Sequence, residues 1–176
     1  MLYPPLNHGL PIRIQLFYIS FIFISTSIIP IILVLVMRVT GNIKSIQLES
    51  PEERKVPYFL TMALYIFNYF NFVQSPSTNP LILHYLLACC SIVLVVMVIN
   101  FFNKISIHLA TLGALVGLIA SVGFMGFVDI RLLLILAILL SGIIGVARLT
   151  LNAHLPQQVY SGFLVGFTLM FLIMNL

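Results

Sequence analysis

The sequence predicts an all-α protein, a polytopic membrane bundle of about six helices, and three observations carry that expectation. Hydrophobic residues fill 61% of the 176 positions and charged residues only 7%, against roughly 25% charged in soluble domains. A water-soluble fold has no means of covering so much apolar surface. The apolar residues gather into six runs, most of them close to the roughly 20 residues that carry a helix across the hydrocarbon core. Polar residues collect between the runs rather than within them.

The first run, about 14–37, is too long for the apolar core of a secretory signal, and no small-residue cleavage site follows it. It is expected to remain as a span, kinked at Pro30. The second, about 57–73, is short and aromatic, with Asn68 and Asn71 as candidate interhelical hydrogen-bonding groups. Gln74–Pro80 reads as a turn. The third run, about 81–102, holds Cys89 and Cys90, whose adjacency argues against a mutual disulfide and places them in the lipid-embedded core. The fourth covers about 105–127, the fifth about 132–147, and the sixth starts near Pro156. Gly113 with Gly117, Ser141 with Gly145, and Gly162 with Gly166 have the spacing that lets membrane helices approach closely. The length suits one domain, 1–176.

The longest polar segment is Thr40–Pro57. Ser50 is placed to cap a short helix, with Pro51 at its first position and Glu53 completing a capping box. That helix would project Arg54 and Lys55 near the membrane surface, and Pro57 would end it or begin the next span.

Six spans put three polar clusters on one side of the bilayer. The first holds Lys44 and Arg54, the second Lys104, Ser106 and His108, and the third Arg148, Asn152, His154, Gln157 and Gln158. The positive-inside tendency accounts for Arg38 and Lys55, and Lys104 reads as a snorkelling interfacial anchor. On the other side, Asp129 and Arg131 are placed to pair with one another. Charge bias does not explain two histidines, a serine and an arginine at the very ends of spans, where ionisable groups are costly and are functional candidates by default.

The convergent set has the parts of a phosphate site. Lys44, Arg54 and Arg148 supply positive charge, and arginine can fork onto two phosphate oxygens. Ser106 adds a hydroxyl, and His108 and His154 fall near expected helix N-termini, which favour anions. One histidine can attack phosphorus while another protonates the leaving oxygen. With four Asp/Glu in the chain and no acidic cluster, a two-metal mechanism is not expected and no cofactor is called for. Eight Lys/Arg are too few to build a nucleic-acid-binding face.

Arg148-x5-His154-x3-Gln158, followed by Gly162 and Gly166, resembles the third signature of the type 2 phosphatidic acid phosphatase (PAP2) superfamily, S-R-x5-H-x3-D. Ile105-Ser106-Ile107-His108 resembles the second, P-S-G-H, and Lys44, Arg54 and Pro57 loosely resemble the first, K-x6-R-P. The resemblance spans about 44–166. It implies a metal-independent phosphatase in a multi-pass membrane setting, the bacterial cytoplasmic membrane being the expected one. The implied substrate is a lipid phosphate monoester or polyprenyl diphosphate that enters from the surrounding membrane lipids. It implies His154 as nucleophile, His108 as general acid, and Lys44, Arg54, Ser106 and Arg148 as holders of the phosphoryl oxygens.

The departures are Gln158 for the aspartate, Ile107 for a glycine, Ala147 for a serine and a stretched first element. Gln158, one turn along, can still accept from the His154 ring and hold one tautomer, but it brings no charge. Those departures keep open a non-catalytic relative that binds a lipid phosphate or serves as a subunit of a membrane complex. A small transporter is the third reading, disfavoured because no span carries a polar stripe through its middle.

Overall fold

A computed structural model describes residues 11–43, 51–75, 78–126 and 129–176 of the chain. The described residues form helices, six of which are long and apolar enough to cross a membrane. The protein therefore has the build of a multi-pass integral membrane protein. Lys44 and Ser50 lie outside the described residues, as do parts of the Gln74–Pro80 turn.

The chain divides into two compact units, Met1–Leu86 and Leu87–Leu176. In the first unit, α1 (Ile12–Phe23) and α2 (Ile29–Val39) are two halves of one span, joined by a π-helical turn at Ile24–Ile28. Pro30 explains the turn. It has no N–H to donate, and its ring crowds the carbonyl four residues back. The expected kink thus takes the form of a widened turn just ahead of the proline. The hydroxyls of Ser25 and Thr26 bond back to the carbonyls of Phe21 and Ile22 at 2.7 and 2.6 Å.

Helix α3 (Pro51–Val73) runs without interruption through Pro57. The short helix and the second span are therefore one element, and Pro57 neither ends the one nor begins the other. Its start at Pro51 agrees with the preference of proline for the first helical turn. Asn68, fully buried, accepts from Ser25 Oγ at 3.1 Å and ties α3 to the π turn. Asn71 differs from the expectation: its amide bonds the Phe67 carbonyl of its own helix at 2.7 Å.

Helix α4 (Pro80–Phe102) begins behind Asn79, whose side-chain oxygen accepts from the Leu81 N–H at 2.9 Å. Cys89 and Cys90 are not joined in a disulfide, and the first of them is buried.

In the second unit, α5 (Ile107–Phe124), α6 (Arg131–Thr150) and α7 (Pro156–Met174) follow. Helices α5 and α7 make the most extensive contact, with α6 against both. Two glycine pairs make that contact possible. A Cβ on Gly117 would sit 2.7 Å from the Phe167 carbonyl oxygen, and one on Gly166 would collide with the backbone of Ala110. In lipid, where the hydrophobic effect does not drive helices together, such close backbone approach supplies the van der Waals contact that holds a bundle. Asp129 and Arg131, at the start of α6, do pair, at 3.6 Å between two exposed side chains.

Candidate functional site

The spacing Arg148-x5-His154 is that of one helix-terminating turn. Helix α6 ends in a Schellman motif: the Asn152 N–H bonds the Leu149 carbonyl at 3.0 Å, and the Ala153 N–H bonds the Arg148 carbonyl at 3.1 Å. The motif needs a residue in the left-handed region, and Asn152 takes it with φ of 51°. Asparagine is the usual alternative to glycine there. Arg148 is thereby kept in the last turn of α6, three residues longer than the sequence suggested, and His154 follows immediately after the turn. Asn152→Gly should leave stability within a few tenths of a kcal/mol, whereas Asn152→Val should cost about 1–2 kcal/mol from the left-handed strain, read by thermal unfolding in detergent.

His154 sits two residues ahead of α7 rather than in its first turn. Gln158 reaches back to it, as expected, with Oε1 3.1 Å from His154 Nδ1. The same Oε1 accepts from the Leu155 N–H at 3.1 Å. A backbone N–H can only donate, so the atom it meets is the amide oxygen rather than the nitrogen. That oxygen can only accept, so its hydrogen bond with the ring requires Nδ1 to carry the hydrogen and donate it. In the neutral ring the lone pair is then on Nε2.

Ser106 occupies the N-cap position of α5 but spends its side chain on no cap. Its N–H donates to the Gln158 carbonyl at 3.1 Å, docking the start of α5 onto the first turn of α7. A Cβ on Gly162 would fall against the Ser106 carbonyl, so glycine at this position permits the docking. Ser106 is fully buried and its Oγ has no hydrogen-bond partner among the described residues. Such a hydroxyl normally finds one. The first N–H groups of α5 also lack intrahelical acceptors. An unspent hydroxyl beside unspent N–H groups is the local chemistry of an anion site.

His108 is the second residue of α5 and exposed. The Arg148 guanidinium and the His154 ring both lie close enough to act electrostatically on its ring. The only acidic side chain between residues 87 and 176 is Asp129, which pairs with Arg131. It stands at the far end of α6, about 30 Å away at 1.5 Å per residue. The positive charge of Arg148 is thus uncompensated by any carboxylate side chain of its own unit.

Five of the seven expected site residues are therefore neighbours within one unit: Ser106, His108, Arg148, His154 and Gln158. Arg54 belongs to the first unit, where it is buried in the first turns of α3 beside Tyr58, and Lys44 lies outside the described residues.

Lys104 is exposed, as an interfacial anchor is, and its Nζ also donates to the Ala153 carbonyl at 2.9 Å. Asn152 has a structural role that membership of a polar cluster does not suggest. An asparagine just past the last apolar turn of a helix is a stop signal that marks its role.

No protein-family model, no curated protein and no solved structure matches the chain.

Proposed function

We propose that this protein is a membrane-embedded phosphatase that hydrolyses a lipid phosphate monoester or a polyprenyl diphosphate through a phosphohistidine on His154. The observation that carries the reading is the Gln158 oxygen shared between the Leu155 N–H and His154 Nδ1, which leaves Nε2 as a nucleophile. The resemblance to the PAP2 superfamily belongs to this reading and supplies its reaction type.

In the first step the Nε2 lone pair attacks phosphorus and the P–O bond to the leaving group breaks. His108 gives its proton to the departing oxygen. In the second step water attacks the phosphohistidine, His108 takes a proton from that water, the P–N bond breaks and inorganic phosphate leaves. Arg148, the Ser106 hydroxyl and the first N–H groups of α5 hold the phosphoryl oxygens, where charge-assisted bonds are strongest. Gln158 keeps the nucleophile in its productive tautomer in both steps. It is neutral, so it stabilises the imidazolium of the intermediate less than a carboxylate does.

Phosphate release by the purified protein from a panel of phosphatidic acids and prenyl diphosphates, without added metal, tests the reading. Gln158→Leu removes both the ring partner and the Leu155 acceptor, and should lower the rate about a hundredfold or more. Lipid-phosphate binding without turnover, unimproved by Gln158→Asp, would instead favour a non-catalytic binder, the alternative that the neutral Gln158 and the bulky Ile107 keep in play.

A further inference from the structure

Two contacts tie the connection before α5 to the chain on either side of His154, one to the loop before α7 and one to the first turn of α7. The Ser106 N–H bonds the carbonyl of Gln158, the residue that holds the His154 ring. Lys104 Nζ bonds the carbonyl of Ala153, the peptide that leads into His154. Both donors come from the connection before α5; one acceptor lies in the connection before α7 and the other in the first turn of α7. On its other side Ala153 is held by its N–H on the Arg148 carbonyl, directly after a residue in the sparsely occupied left-handed region. An interfacial lysine ordinarily extends its ammonium into water. This one is exposed as well, and its ammonium also donates to a main-chain carbonyl 49 positions away.

We infer that Lys104 is a positioning residue. By holding the Ala153 carbonyl it keeps the His154 ring on Gln158, with Nε2 presented for attack. It acts on the nucleophile and not on the substrate, so its loss lowers turnover and leaves substrate affinity in place. The kinetic half of this inference rests on the phosphatase reading; the conformational half does not.

The test uses full-length protein in nanodiscs as wild type, Lys104→Met and Lys104→Arg. With short-chain phosphatidic acid and a prenyl diphosphate as substrates, Lys104→Met should lower kcat about ten- to a hundredfold with KM changed less than about twofold, since a small misplacement of a reacting group has effects of this size. Lys104→Arg, which keeps a donor of similar reach, should recover most of kcat. In parallel, nitrogen NMR of the His154 ring should show hydrogen on Nδ1 in the wild type and a growing Nε2-protonated fraction in Lys104→Met. A raised KM with kcat intact would make Lys104 a substrate contact and overturn the inference, and no change in either constant would overturn it in favour of a plain anchor. If the wild type releases no phosphate, the phosphatase reading fails. The ring spectrum then decides the positioning role alone: a shifted tautomer ratio supports it and an unchanged ratio rejects it.

Discussion

His154→Ala should abolish phosphate release, lowering the rate by at least about a thousandfold, because a covalent mechanism without its nucleophile retains only what binding and electrostatics supply. The fold should survive. The backbone bonds that shape the turn run through Leu149, Asn152, Ala153 and Arg148, and Gln158 keeps its bond to the Leu155 N–H. Thermal unfolding should therefore shift by less than the equivalent of about 1 kcal/mol, the ordinary scale of a substitution away from the core. Wild-type turnover in His154→Ala would remove the residue from the mechanism. Coincident loss of activity and of folded protein would leave activity uninformative, so His154→Asn, closer in size and polarity, serves as the second variant.

The second large effect lies in the packing. Gly166→Leu should destabilise the second unit by about 3 kcal/mol or more, at or above the top of the usual overpacking range. The neighbours a side chain would meet are backbone atoms of Ala110, which cannot swing aside as a flexible side chain can. Helices α5 and α7 would have to separate. Ser106 docks on the first turn of α7 through one main-chain bond, so separation also draws Ser106 away from Gln158 and His154. Stability and phosphate release should fall together, as read by thermal unfolding and by the rate of the surviving folded fraction. An equal substitution at Gly142, where a Cβ meets nothing within 4 Å, should leave both largely unchanged.

The helices were legible because lipid imposes a demand that sequence must meet openly: every span needs an apolar run of sufficient length. Their ends were less legible. Span five was expected to stop at Ala147, yet α6 runs to Thr150 and carries Arg148 within it. A long cationic side chain in the last turn leaves the backbone free to stay helical and favours the helix C-terminus. Span two was expected to begin at Pro57, yet α3 starts at Pro51, because polar residues in the first turn do not prevent a helix from forming.

Within the site, the pairing of His154 with Gln158 was readable because it is local, one helical turn of reach. The approach of Ser106 and His108 to that pair was expected from span parity and family resemblance together. Lys104 was not readable as a partner of the loop that carries His154. Its acceptor is a main-chain carbonyl, which leaves no mark in the choice of residue at position 153, and the partners are 49 positions apart. Asn71 shows the same limit: a polar side chain inside a span can turn to its own helix as readily as to a neighbour.

The most direct test is chemical trapping of the intermediate. Protein mixed with a labelled lipid phosphate or prenyl diphosphate, quenched in alkali within one turnover and digested, should yield a phosphoryl group bound through nitrogen on His154, stable to base and lost in acid. The adduct should be absent from His154→Ala and unaffected by a metal chelator. Turnover with no such adduct, or with the phosphoryl group on another residue, would contradict the account.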